Sequence, residues 1–114
     1  GNNWIQRGQD IVGEAAGDLA GRSVALSAGG NVVVVGAFQN DGNGVDAGHV
    51  RIYQYMSSVN MWVQVGQDIN GEAGGDAFGR SVAISNSGHH VVIGGEANDA
   101  NGDASGYARV YELV

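Results

Sequence analysis

The chain has 114 residues, a formal net charge of −7 and 43% hydrophobic residues, one domain's worth of material with enough apolar content for a core. Its five basic residues are all arginine against twelve acids, which argues against nucleic acid or anionic membrane as partners, because phosphate binding needs a basic stripe. No cysteine is present, so disulfides and thiolate metal sites are excluded, and no apolar run approaches the roughly 18 residues of a membrane span.

In chain order, "NWIQRG" (Asn3 to Gly8) reads as a lone strand carrying Trp4. A long Gly-rich loop with Asp10, Glu14 and Asp18 follows. The next strand is "RSVALS" (Arg22 to Ser27), then a short link over Ala28 to Gly30. "NVVVVGA" (Asn31 to Ala37) comes next, and its unbroken valines predict burial on both faces. A second acidic loop carries Asp41, Asn43 and Asp46. "HVRIYQY" (His49 to Tyr55), a link over Ser57 to Asn60, and "MWVQVG" (Met61 to Gly66) complete the first set. Helical spacing appears nowhere at useful length. The short Gly- and Asn-containing links fit antiparallel hairpins.

The remaining chain repeats this set. With an offset of 58, Trp4 aligns with Trp62 and the match runs without a gap to Met56 against Val114, with 28 identities in 53 pairs. Equal loop lengths imply that both copies fold alike, and a fixed period of this size signals a solenoid, propeller or array. Four short antiparallel strands per unit is the blade pattern of a β-propeller. The expected fold is therefore all-β, one two-blade unit spanning 1–114. Blade 1 covers 9–66, and blade 2 covers 67–114 without its outer strand. Residues 3–8 form an outer strand donated to a neighbouring chain.

Two blades cannot close a ring, which takes about four to eight, and open blades expose apolar faces and strand edges. Closure by a cyclic homo-oligomer with head-to-tail contacts resolves this. A six-bladed trimer is favoured, with four- and eight-bladed rings as alternatives. The rival expectation, in line with an opening Gly1 rather than Met, is an excerpt of a longer array.

Three stretches carry a family resemblance: "FGRSVAIS" (Phe78 to Ser85), "VVVGA" (Val33 to Ala37) and the closing "GHVRIY" and "GYARVY". The unit resembles the FG-GAP repeat, the propeller blade of integrin-like extracellular proteins. The resemblance implies an extracellular or cell-surface location. It departs from the pattern where Ala20 stands for Phe and Phe38 for Pro. The family's acidic calcium loop between the first two strands is also missing, since "SAGGN" and "SNSGH" hold no carboxylate. The assembly expected here is closer to small two-bladed lectins that trimerise.

Eleven of the twelve acids fall in two kinds of loop that leave a blade at the same end. One set is Asp10, Glu14 and Asp18 with their copies Asp68, Glu72 and Asp76. The other is Asp41 and Asp46, with Glu96, Asp99 and Asp103 in the equivalent loop. A ring with one acidic face follows, and three readings of that face stay open. Solvation by turn-forming residues is one. Calcium is another, since it wants six to eight oxygens and "NDGNGVD" supplies them through Asp41, Asn43 and Asp46, with Asp99, Asn101 and Asp103 in the copy. The third is a carbohydrate or protein ligand held by Glu14, Asp18, Glu72, Asp76 and these same residues, near the aromatics Tyr107, Phe38 and Phe78.

Structural roles are assigned to four residues. Arg22 and Arg80 are read as ion-pair partners of Asp18 and Asp76 at the loop base, and Trp4 and Trp62 as staples between blades. Arg51 and Arg109 are expected to pair between blades. Catalysis finds little support. His49, His89 and His90 are not repeated between the copies, and the paired carboxylates lie on Gly-rich loops without a desolvating pocket. The chain is read as a non-enzymatic binding or adhesion module without cofactor. The alternatives are a structural unit of a longer surface protein or a calcium-binding propeller.

Overall fold

A computed structural model describes residues 2–13, 20–21, 23–37, 48–71, 77–95 and 106–114. Eight strands lie within them, and no helix. The first unit contributes β1 (Ser23–Leu26), β2 (Val32–Ala37), β3 (His49–Met56), β4 (Met61–Gln64) and β5 (Ile69–Asn70). They form one antiparallel sheet in the order β1-β2-β3-β4, with β5 also on β3. The second unit contributes β6 (Ser81–Ile84), β7 (His90–Gly95) and β8 (Tyr107–Glu112), a three-stranded antiparallel meander. Each hairpin follows from a run of β-branched residues cut by a Gly- or Asn-bearing turn. Asn60 closes the β3–β4 turn at φ 54°, a conformation that asparagine tolerates. Its Oδ1 accepts the Tyr55 hydroxyl at 2.6 Å.

Strand β5 was not foreseen. It continues the line of β4 along β3 after an interruption over residues 65–68, pairing Val50 with Ile69 and His49 with Asn70. A two-residue strand carries no periodic signal in the sequence. Residues 3–8 are in no strand of the single chain. A lone strand has no mate to supply its hydrogen bonds, and here the segment runs instead across the first unit.

The two sheets stack. Val34 and Val50 of the first unit meet Phe78, Val91 and Ile93 of the second in one buried cluster. Ile52, Ile69, Val82, Ile84, Tyr107 and Tyr111 pack around it. The register shows which faces meet. Ala25, Val34 and Ile52 are cross-strand partners on one face of the first sheet. In the second sheet the buried positions Val91 and Ile93 alternate with exposed Val92. The second unit's copies of Val34 and Ile52 are Val92 and Val110, and these are exposed. One face of the first unit therefore packs on the opposite face of the second.

Phe78 is fully buried at this junction. Its backbone abuts Gly48, where an added Cβ would overlap the Phe78 carbonyl and where φ is +85°. Burying a side chain of this size stabilises by several kcal/mol, and Phe→Ala in such a core costs about 3–5 kcal/mol. Phe78→Ala is expected to lower the unfolding free energy measured in urea by an amount in that range, with the midpoint falling accordingly. Gly48→Ala should also destabilise, because backbone must move. If both variants unfold at the wild-type urea concentration, the junction is not the core.

Candidate functional site

The strand registers fix where the long loops attach. Ser23 opposes Gly36 and Ala37 opposes His49, so β1 and β3 start where β2 ends. In the second unit Ser81 opposes Gly94 and Gly95 opposes Tyr107. The two ends adjoin, since the Ser23 hydroxyl donates to the Gly79 carbonyl across the units. All four long connections thus leave from one end of the stacked sheets. The short links over 27–31, 57–60 and 85–89 sit at the other end. The loops carry nine of the chain's twelve acids within the stretches 14–19, 38–47, 72–76 and 96–105.

Most of the sequence-derived candidates lie outside the described residues: Glu14, Asp18, Arg22, Asp41, Asn43, Asp46, Glu72, Asp76, Asp99, Asn101 and Asp103, and with them the aromatic Phe38. Tyr107 is described. It opens β8, half-buried, with its ring stacked on Phe78 at 5.9 Å between centroids, and the Arg109 guanidinium lies over it at 4.9 Å. Phe78, expected near the ligand end as a possible platform, is instead entirely enclosed by the core and offers no ring face to a ligand. Arg80 is exposed at the head of β6, and its expected partner Asp76 lies outside the described residues. Among the described residues no three His, Asp or Glu side chains converge on a point that could hold a metal.

Arg51, expected to pair between blades, meets a carboxylate of the segment that links the two units. Arg51 Nε donates to Asp68 Oδ1 at 2.7 Å and Nη2 to Oδ2 at 3.0 Å, a two-pronged pair within the first sheet. The interruption between β4 and β5 turns Asp68 back over β3, and Gln64 Nε2 adds a donor at 2.7 Å. Such fork-on-fork pairing is the geometry that guanidinium and carboxylate favour. The Arg51 hydrogen bond holds the Asp68 carboxyl down at about 2, against an ordinary 3.8, with partial burial opposing and Gln64 assisting. The same contact raises Arg51 above its usual value. Asp68 is thus a fastener of the loop base rather than a member of the acidic face.

Trp62 also serves the scaffold. Its indole Nε1 donates to the Arg7 carbonyl at 2.8 Å, and its ring leans on Tyr55 at 5.3 Å. The Gln9 amide clasps its backbone, Nε2 donating to the Trp62 carbonyl while Oε1 accepts the Trp62 N–H, both at 2.9 Å. Trp4, its copy, is wholly exposed at 101%. At the opposite end a groove of about 700 Å³ opens between the units, bordered by Gly66, Gln67, the end of β8 at Tyr111 and Glu112, and the Leu113 and Val114 that follow it.

A carboxyl whose pKa falls on folding stabilises the native state above its unfolded value and loses that contribution as pH drops through the folded one. For Asp68 the window runs from about 4 down to about 2. Asp68→Asn is expected to cost roughly 1–2 kcal/mol near neutral pH, with screening allowed for, and to flatten the fall of Tm between pH 4 and 2. An unchanged acid profile in the variant would show that the pair does not contribute to stability.

Residues 70–111 match the model of the FG-GAP repeat. The span runs from the end of β5 through Tyr111 of β8, and so takes in nearly all of the second unit. No curated protein matches the chain.

Proposed function

With an FG-GAP repeat in its second unit, a repeat common in extracellular and surface proteins, we propose that the chain is a non-enzymatic recognition module. In this reading it builds a propeller ring from identical copies and presents its acidic loops on one face of that ring to an extracellular ligand, a carbohydrate or a protein. One observation carries the reading: the sheets stack by opposite faces, so each outer face of the pair matches one already buried inside it. The face that the second unit buries through Val82, Ile84, Val91 and Ile93 has its copy in Val24, Leu26, Val33 and Val35. Val24 and Leu26 there are 58% and 57% exposed. The face that the first unit buries has its copy around Val92 and Val110, the latter 70% exposed. An end-to-end contact of these faces repeats the internal one, and a heterologous contact of this kind closes into a ring when its rotation permits.

The four long connections would then share one rim. Asn, Asp and Gly dominate them. Such loops supply carboxylate and amide oxygens for sugar hydroxyls, or for calcium, which takes six to eight oxygen ligands.

Light scattering on the intact chain is expected to give about 35 kDa, a trimer of the 11.6 kDa chain with six blades. About 23 or 46 kDa would select four or eight blades, and a monomer at micromolar concentration would overturn ring building. On a glycan array and in thermal shift with millimolar calcium, a ligand of the native state raises Tm by mass action. Asp41→Asn combined with Asp99→Asn should abolish whichever response appears. A blank array with no calcium shift would leave a purely structural repeat and sink the recognition reading.

A further inference from the structure

The outer segment 61–71 is held on β3 by a defined set of contacts. Gln64 pairs with Tyr53 and Trp62 with Tyr55. The Val65 N–H donates to the Ile52 carbonyl at 2.7 Å, and Gly71 N–H to the Gly48 carbonyl at 2.9 Å. Ile69 pairs with Val50, and Asp68 grips Arg51. By the 58-residue offset the copy of β3 is β8, and the copy of 61–71 is 3–13. Among the described residues β8 has only β7 as a strand neighbour, and an edge without a second strand tends to recruit one.

Residues 6–12 already stand where that recruitment would need them. Ile69 packs on the cluster holding Val91 and Ile93. Ile11 and Val12 lie correspondingly beside Val33 and Val35. The local shape is the same too: Gln6 Nε2 donates to Asp10 Oδ1 at 2.8 Å, as Gln64 does to Asp68 at 2.7 Å.

Gly8, at φ +71°, faces Trp62 so closely that an added Cβ would lie 2.7 Å from Cδ1. Gly66, its copy, holds the same conformation at φ +74° with nothing within 4 Å. Gln67, the copy of the clasping Gln9, borders the groove beside it. A seat for one indole is thus built and filled at Gly8–Gln9, and built again at Gly66–Gln67. The copy of the indole that fills the first is Trp4, fully exposed on the same chain.

We propose that a second copy of this chain completes the first by donating its residues 3–13 to the outer edge of β8. In that complex Trp4 of the donor fills the Gly66–Gln67 seat and Asp10 of the donor pairs with Arg109, the β8 counterpart of Arg51. The register follows from the internal one: Gln6 opposes Tyr111, Trp4 opposes Leu113 and Ile11 opposes Ala108. The donor segment needs no refolding, since it keeps its present place on its own first unit and receives β8 from outside. This rests on the ring reading above but goes further, because it fixes which atoms meet.

The chain contains no cysteine, so a disulfide can report the register. Ile11→Cys and Ala108→Cys chains, mixed and oxidised, are expected to give a covalent dimer that neither variant forms alone. An off-register mixture of Ile5→Cys with Ala108→Cys should give none. Trp4→Ala, at a side chain that touches nothing in the single chain, should weaken self-association at least tenfold and leave the circular dichroism of the dilute chain unchanged. If light scattering shows a ring but the Ile11–Ala108 pair does not link, or Trp4→Ala assembles with wild-type affinity, the strand donation is wrong while ring building stands. A chain that stays monomeric overturns both.

Discussion

The Phe78 ring, closed between two sheets, is the contact on which the architecture turns. Each sheet alone is a small twisted meander whose apolar face must be buried against another element. Phe78 sits at the head of the second unit and reaches the valines of the first. The same residue's backbone lies against Gly48, so the start of β3 and the start of the second unit are locked together. That lock sets the relative height of the two units. It is the reason why the long connections of both leave from a common end.

The pair is a polar structure in the geometric sense, with a head and a tail that differ. Stacking opposite faces, rather than like on like, leaves complementary surfaces at the two ends. A two-fold arrangement would have satisfied itself in one step. In the proposed assembly the same contact would repeat from copy to copy, and a heterologous contact closes when its rotation permits. The Arg51–Asp68 pair and the Gln9 clasp on Trp62 contribute differently. They fasten the irregular segment between units at its base, so the acidic loops spring from a fixed frame.

Much of the fold was legible in the residues. The valine runs of β2 and the alternation of β3 mark strands without ambiguity, and the gapless offset makes the second unit follow from the first. What was missed shares a cause. β5 is two residues long and stands after a break, so no period announces it. Asp68 looks like its copy Asp10 and like the other loop acids, and only the break that turns it inward separates a fastener from a solvated charge. Phe78 looked available to a ligand because it adjoins the acidic-loop end of its unit, and its copy Ala20 gives no sign of the cluster that encloses it. The repeat hides that the two units meet different neighbours.

The Phe78 and Ala20 mismatch has a consequence for any assembly built from these units. Inside each chain the joint is plugged by an aromatic ring, whereas the same position at a joint between chains offers only a methyl group. Packing density in protein interiors leaves little tolerance for such a deficit. The seams of a closed wheel would therefore be of two strengths in strict alternation. Heat or dilution would part it between molecules, releasing whole two-sheet pieces that can rejoin.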